Sequence, residues 1–350
     1  GEFMMKKRDI FFTNKKKIKN ELKQVDLFLS DLISYSLLKL NIKIVFSGGA
    51  NYIQDAIFFS LFKKLKIKIV IIQRESQNIQ KYQRKIQSKF YSNWEPSLAD
   101  VVLTSNKTTE NLFKKTLFYK NSKVLSTGIL RMDNYLKKIK RTKINKIKSR
   151  KQILFFSFIH TVGILIQNDL SLLKKNNKEG LVNFFKNCHN LIINYAYENP
   201  DIDLVIKHKF GGKFLKNIET NWIKFKNIPL PKNCRLVSED DVHDLILNSD
   251  LVIAFNSTTM FESALRDIPI IIPAFDEVKN KYKRFFNFSE LSKYFIIADK
   301  KNFVKLVDKN LFKFKISNFA KKGRFKLFNK YISSVKGNSK KKIIEVINSI

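Results

Sequence analysis

Three hydroxyl side chains between two apolar runs are the residues of this sequence best suited to bind an anion. Residues Ser257–Thr259 lie between Leu251–Phe255 and Ile268–Ile272, which are both apolar. This order predicts a buried strand, a polar turn from Asn256, a short helix over Met260–Arg266 and a second buried strand. A hydroxyl-rich turn at a helix start presents backbone N–H groups and the positive end of the helix dipole, which suits a phosphate.

Glu262 adds a second interpretation of the same turn. It follows Thr259 by three residues, the spacing of a capping box that would hold the helix start rigid. Ser257, Thr258 and Thr259 can therefore form an ordinary helix cap, or a cap that also holds a phosphate. The spacing alone leaves both interpretations open.

A longer pattern surrounds this turn. The spacing S-D-x-V-I-x-x-x-S-T-x-x-E-A-L-x-x-x-x-P-I-I is matched by Ser249, Asp250, Val252, Ile253, Ser257, Thr258, Glu262, Ala264, Leu265, Pro269, Ile270 and Ile271. It resembles the nucleotide site of GT-B glycosyltransferases, most closely bacterial enzymes of capsule, teichoic-acid and surface-carbohydrate assembly. The resemblance implies a glycosyltransferase that moves a sugar from a nucleotide-sugar donor to a surface-glycan or lipid-linked acceptor. It also implies that Ser257, Thr258 and Thr259 contact the donor phosphate, with Asn256 and Glu262 beside the nucleotide and its ribose.

The composition predicts a folded two-domain protein in a reducing compartment. The 350 residues suffice for two ordinary domains, and a hydrophobic content of 44% argues against disorder. Gly1–Phe3 precede two methionines and are interpreted as a cloning remnant. The two cysteines, Cys188 and Cys234, fit neither a metal site nor a disulfide framework. Because no signal peptide and no apolar run of about 18 residues is present, we expect a cytoplasmic protein.

The net charge of +37, from 67 basic and 30 acidic residues, favours a polyanionic neighbour. Nucleic acid is disfavoured, because the lysines are spread along the chain without a zinc-finger, recognition-helix or RNA-binding aromatic motif. An anionic membrane surface remains open, with the protein peripheral on the inner face of the plasma membrane. The clusters expected to face it are Lys15–Lys23 and Lys313–Lys342. An AT-rich genome is the competing explanation of the lysine excess.

Short apolar runs alternate with helical patterns along both halves of the chain, as at Ile42–Phe46, Ile67–Ile72 and Val101–Thr104. The alternation predicts an α/β fold with parallel sheets covered by helices. We predict two tandem Rossmann-like, doubly wound domains facing a cleft, which is the GT-B architecture. The predicted boundaries are an acceptor domain at 4–140, a linker at 141–151 and a nucleotide-donor domain at 152–310. C-terminal helices at 311–350 are expected to be able to cross back to the first domain.

In open α/β sheets, ligands bind outside the carboxyl ends of the strands. In the second half this rule selects His160, Lys207, Lys209 and Glu239, which all follow predicted strands. The resembling enzymes carry a K-x-H/K element at Lys207–Lys209, facing the donor phosphates, and often a polar residue at the position of His160. A lysine there supplies charge to a leaving phosphate, and an acid at Glu239 can bind ribose hydroxyls. Surface lysines without a role are the alternative.

In the first half, the resemblance places the acceptor side at Gly48, Gly49 and Arg74, and a general base in the loop that contains Glu75. A carboxylate can act there because desolvation raises its pKa toward the operating pH. Asp55, on the helix after Gly48 and Gly49, is the competing base. Of the two, Glu75 is preferred.

No cluster of His, Cys and Asp has metal-ligand spacing, so the sequence predicts an enzyme without a metal or another cofactor. Two other activities stay open. A nucleotide-sugar 2-epimerase shares the two halves, although Asn256–Thr259 stands where its usual D-S-G-G-x-x-E-E stretch begins. A polyol-phosphate transferase of the teichoic-acid type is the other.

Overall fold

The computed structural model describes residues 24, 27, 33, 35–49, 53–73, 80–92, 95–141, 149–158 and 180–350. The chain forms two compact units. The first consists of Gly1–Gln77, Lys85–Asp133 and Lys336–Ile350, and the second of Asn78–Arg84 and Asn134–Val335. Each unit contains one parallel sheet.

Strands and helices alternate through the first part of the chain. They are β1 (Ile44–Ser47), α1 (Ile53–Lys64), β2 (Lys68–Ile72), α2 (Lys81–Ser92), β3 (Val101–Thr104), α3 (Lys107–Phe113), β4 (Lys123–Ser126) and α4 (Leu130–Arg141). The four strands pair in the order β1-β2-β3-β4, and every pair is parallel. On one face of this sheet, Phe59 of α1 and Phe113 of α3 pack with Ile69, Ile71 and Val102 in a single buried cluster.

The second unit repeats the alternation with a larger sheet. Its elements are β5 (Lys151–Phe156), α5 (Val182–Glu198), β6 (Ile202–Lys207), α6 (Lys213–Lys226), β7 (Cys234–Val237), α7 (Val242–Asn248), β8 (Leu251–Ala254), α8 (Thr258–Ser263), β9 (Ile270–Pro273), β10 (Ile296–Ala298), α9 (Phe303–Lys313) and α10 (Asn318–Tyr331). Strands β8 and β9 are buried along their whole length, because both are apolar and both faces of the sheet are covered.

The strand order of the second sheet is β10-β9-β8-β5-β6-β7, and all five pairings are parallel. Strand β5 pairs with β6 on one side and with β8 on the other. The chain therefore winds outward from β5 in two opposite directions, and the point of reversal lies between β5 and β8. Crevices at the carboxyl ends of strands at such a reversal are where doubly wound sheets bind ligands.

The C-terminal helix, α11 (Ser339–Ile347), belongs to the first unit. Its Ile343 packs with Val70, Val101 and Leu103 on the sheet. The backbone N–H of Lys340 donates to Asp133 Oδ2 at 2.9 Å, so a buried carboxylate caps the helix. Asp133 itself lies inside the first turn of α4, 207 residues before Lys340 in the chain.

Several predicted boundaries differ from the observed ones by one or two residues, and the end of one helix differs by more. The helix predicted over Met260–Arg266 runs over Thr258–Ser263 and so ends three residues earlier than predicted. The charged stretch predicted as a linker at 141–151 begins at the last residue of α4 and ends at Lys151, the first residue of β5. Within the described residues, no helix combines the length and the apolar character needed to cross a membrane.

Candidate functional site

The ends of four adjacent strands bring polar residues to one edge of the second sheet. The register pairs Phe156 with both Lys207 and Ala254, and Lys207 with Val237. The segments that follow these residues contain Ser157, Lys209, Glu239 and Asn256–Thr259. Sequence analysis selected all of these except Ser157, and the structure places them at the same edge.

The turn after β8 holds its polar groups in a constrained backbone. Asn256 has a φ of +45°, in the left-handed region that asparagine tolerates better than most residues. Its Oδ1 is buried, and no residue that the structure describes bonds to it. Ser257 is the N-cap of α8, and its Oγ accepts from the backbone N–H of Thr259 at 3.3 Å and from the Thr259 hydroxyl at 2.9 Å. The capping box predicted between Thr259 and Glu262 is therefore wrong, because Thr259 already lies in the helix.

Glu262 forms part of a buried cluster with His243 and Tyr135. Its Oε2 lies 3.0 Å from His243 Nε2, and its backbone carbonyl accepts from the Tyr135 hydroxyl at 3.0 Å. The rings of Tyr135 and His243 stack at 4.1 Å with an interplanar angle of 12°. Burial, and then the charge of Glu262, raise the pKa of Tyr135. The Glu262 side chain is 1% exposed and that of His243 is 12% exposed, so His243 is the more accessible of the two.

The side chains of Lys207 and His208 form hydrogen bonds with backbone groups of the same unit. Lys207 is buried, and its Nζ donates to the backbone carbonyls of Ser238 and, at 3.3 Å, of His208. His208 Nδ1 lies 2.8 Å from the carbonyl oxygen of Phe210, and its ring stacks on another phenylalanine. Burial, and then the charge of Lys207, lower the pKa of His208, so the ring is neutral at pH 7. Lys209 is the exposed cation here, with its Nζ 5.4 Å from the centre of the Phe210 ring.

The acids after β7 have three different roles. Asp241 is the N-cap of α7 and accepts from the Asp244 N–H at 2.9 Å. Asp240 pairs with Arg235 at 2.9 Å. Glu239 is exposed, and its Oε1 accepts from the Ser238 hydroxyl at 3.2 Å, which leaves it the acid best placed to meet a ligand.

Gly211 allows the backbone after β6 to approach β7. A Cβ at this position would lie 2.9 Å from Ser238 Oγ, so the serine side chain would have to shift. The segments after β6 and β7 therefore lie close together at the same edge.

Sequence reasoning missed Ser157, which follows β5 at the point where the strand order reverses. Its hydroxyl lies 2.9 Å from His189 Nε2, and His189 Nδ1 lies 2.7 Å from the carbonyl oxygen of Phe185. His189 is fully buried, which lowers its pKa to about 3. The neutral ring therefore donates a hydrogen bond from Nδ1 to the carbonyl and accepts one at Nε2 from the Ser157 hydroxyl. The serine was visible in the sequence, but its partner lies 32 residues later in the chain, so no local pattern connects the two.

Two of the helices that start at this edge are already capped by carboxylates. The backbone N–H groups of Asn183 and Phe184, at the start of α5, donate to Glu277 at 2.9 and 2.8 Å. Asp241 caps α7 in the same way. Because carboxylates repel a phosphate, these starts are poor phosphate sites. The start of α8 carries the neutral Ser257 cap instead.

Several predicted residues fall outside what the structure describes. Arg74, Glu75 and His160 lie outside the described residues, and for Asp55 only the backbone, inside α1, is described. Gly48 and Gly49 follow β1, where the Ser47 hydroxyl donates to the carbonyl of Gly49 at 2.8 Å. The catalytic and acceptor-side assignments of the first unit therefore stay predictions.

No protein-family model matches the chain, and no curated protein matches it in sequence. Solved structures do match the chain, in their three-dimensional fold. A candidate UDP-N-acetylglucosamine 2-epimerase from Listeria monocytogenes superposes with a TM-score of 0.54 at 12% identity, covering 94% of this chain and 80% of that one. The UDP-GlcNAc 2-epimerase from Neisseria meningitidis, bound to UDP-GlcNAc, gives 0.52 at 15% identity, over 97% and 84%.

The wall teichoic acid polymerase TagF, in a structure with CDPG, also gives a TM-score of 0.52, at 16% identity over 88% of this chain and 71% of that one. These neighbours are bacterial cell-envelope enzymes of GT-B fold, and they include both transferases and epimerases. At such identities the likeness shows the fold alone. The α/β fold with two parallel sheets, predicted from the sequence, is thereby confirmed, and the chain shares the GT-B fold of these enzymes.

Proposed function

We propose that the protein is a glycosyltransferase that takes a nucleotide-sugar donor at the carboxyl edge of the second sheet. It transfers the sugar to a surface-glycan or lipid-linked acceptor. The GT-B fold supports this proposal, because the structural neighbours bind nucleotide-sugar or nucleotide ligands.

One observation carries the proposal. The hydroxyl-rich turn at Ser257–Thr259 follows β8 at the reversal of strand order, and it is a helix start at that edge without a carboxylate cap. The buried Oδ1 of Asn256, to which none of the described residues bonds, lies in the same turn and, as an acceptor, suits a ribose hydroxyl and not the phosphate. A phosphate bound there would accept hydrogen bonds from hydroxyl and backbone N–H groups. Because α8 has only six residues, the hydroxyls are proposed to contribute more than the helix dipole.

In the proposed reaction, the charge on the leaving nucleotide phosphate is met by Lys209, with Thr258 and Thr259 as hydrogen-bond donors, and no metal ion is required. Glu239 is proposed to hold the ribose. His160 is proposed as a further phosphate contact. The general base remains the residue preferred from the sequence, Glu75, with Asp55 as its competitor.

A nucleotide panel tests donor binding directly. UDP-, GDP-, CMP- and CDP-linked donors are added separately to the purified protein, and the melting temperature is followed. We expect one nucleotide class to raise it, because a ligand that binds only the folded state stabilises that state. No shift with any of the four would overturn the proposal.

The same assay separates the two alternative activities once a donor is found. Conversion of the nucleotide sugar without any acceptor would indicate a 2-epimerase, the activity for which two of the compared proteins are named. Transfer of donor phosphate into the product would indicate a polyol-phosphate transferase, as the likeness to TagF allows. Release of free nucleotide together with a sugar-extended acceptor is the result that the proposal predicts.

A further inference from the structure

A long stretch near the C-terminal end of the sequence is basic and contains no acidic residue. From Lys309 to Ile344 there are eleven lysines, one arginine and no aspartate or glutamate. The part of this stretch that lies in the second unit includes the end of α9, the start of α10 and the turn between them. We call residues 309–326 the basic turn.

The basic turn exposes large aromatic side chains among its lysines. Phe312, at the end of α9, is 54% exposed, and Phe319, at the start of α10, is 65% exposed. They are seven residues apart, so they lie within about 25 Å of each other. The surrounding exposed lysines are Lys309, Lys313, Lys315, Lys322 and Lys326.

The opposite sides of both helices are fixed to the core. Leu311 of α9 and Phe328 of α10 are buried. Arg324 is 1% exposed, and its guanidinium donates to the backbone carbonyls of Ile268 at 2.8 Å and Tyr294 at 3.0 Å. The basic turn is therefore held on a rigid base. Its two exposed phenylalanines are mostly in solvent, so they contribute little to the core.

We propose that the basic turn is a contact surface for an anionic lipid bilayer. Phe312 and Phe319 enter the boundary between headgroups and acyl chains, while the lysine ammonium groups stay with the lipid phosphates. A bilayer fits better than nucleic acid, because a single strand is tracked by a groove lined with stacking aromatics, whereas these rings protrude at a connection between two helices.

The proposal stands on this surface alone and goes beyond the proposed function. It covers the first part of the lysine cluster predicted at Lys313–Lys342, in which Lys330 pairs with Glu290 and Lys321 with Asp267; the last part, from Lys336, belongs to the first unit. The other predicted cluster, Lys15–Lys23, lies outside the described residues.

Sedimentation with vesicles tests the proposal. The full-length protein is mixed with vesicles of phosphatidylcholine alone, or with vesicles containing about one third phosphatidylglycerol. We expect binding to the anionic vesicles only, and release at about half-molar salt, because the Debye length there is only a few ångströms. The double variant Phe312→Ser/Phe319→Ser and the double variant Lys313→Glu/Lys315→Glu should each weaken binding by about tenfold or more.

A matched control comes from α6, where Phe225 is 53% exposed and Lys226 lies 5.8 Å from its ring centre. Phe225→Ser and Lys224→Glu/Lys226→Glu make the same chemical changes on another basic and aromatic surface of the second unit. These variants should keep wild-type vesicle binding. Melting temperatures equal to that of the wild type show that all variants are folded.

Four results would overturn the proposal. These are binding to neither vesicle type, equal binding to both types, equal losses in the α6 controls, and phenylalanine-dependent binding to single-stranded RNA without binding to vesicles. None of these measurements contains a nucleotide donor, so a failure here is distinct from a failure of the proposed function.

Discussion

In the sequence, the segments after β8 and after β6 look equally suited to bind a nucleotide, but in the structure their polar groups have different partners. After β6, Lys207 and His208 bond to backbone carbonyls of their own unit. After β8, the buried Oδ1 of Asn256 bonds to none of the described residues. The comparison teaches that a polar residue at a strand end is available to a ligand only if the fold does not already require it.

The largest expected effect is on stability, from Lys207→Met. The substitution keeps the length of the buried chain but leaves the carbonyls of Ser238 and His208 without a donor. We expect the free energy of unfolding to fall by about 2–4 kcal/mol, because unsatisfied buried polar groups cost about 1–3 kcal/mol each. Urea unfolding measures it. An unchanged unfolding midpoint would mean that Lys207 is not a structural tie and is available to a donor.

The second prediction concerns pH and His189. Its folded pKa of about 3 is below the usual 6.5, so the unfolded state binds the proton more tightly. The stability gained by keeping His189 neutral is complete above pH 6.5 and is lost as the pH falls toward 3. The loss is about 2 kcal/mol by pH 5, since each pKa unit is worth about 1.4 kcal/mol.

His189→Gln, which does not titrate, should have a flatter stability profile between pH 7 and pH 5 than the wild type. His208→Gln is the control. The pKa of His208 is also lowered, so this variant loses the pH dependence due to His208 but keeps that due to His189. Parallel profiles for the wild type and His189→Gln would show that His189 is not the buried neutral partner of Ser157.

The smallest expected effect sharpens the comparison within one segment. Lys209 is exposed and two residues from Lys207, so Lys209→Met should leave the unfolding midpoint unchanged. Donor affinity should fall by about threefold at low salt, and the difference should vanish as salt screens the exposed charge. Calorimetric titration at two salt concentrations measures it. A loss that persists at high salt would contradict the assignment of Lys209 as a solvent-exposed point charge.

The parallel strands could be predicted from the sequence, because strands covered on both faces are continuous apolar runs. Strand β3 has the bounds of the apolar run from which it was predicted, Val101–Thr104. The edge of the sheet that carries the candidate site followed from the same reasoning.

The pairings at the site could not be predicted, because they join residues far apart in the chain. Glu262 bonds to His243 instead of to its own helix start, and Ser157 bonds to a histidine 32 residues later. Nothing in local spacing distinguishes a lysine that binds a ligand from one that, like Lys207, binds the protein backbone.

The most direct test of the account is a calorimetric titration of Thr258→Ala with the nucleotide donor, beside the wild type and the exposed-helix control Thr220→Ala. The account predicts that Thr258→Ala weakens binding by about tenfold or more, because a hydrogen bond to a charged group is worth about 1.5–3 kcal/mol. The melting temperature without donor should not change, since Ser257 and not Thr258 caps α8. Equal affinity in all three proteins would contradict the account, and the turn after β8 would then be a helix cap and nothing more.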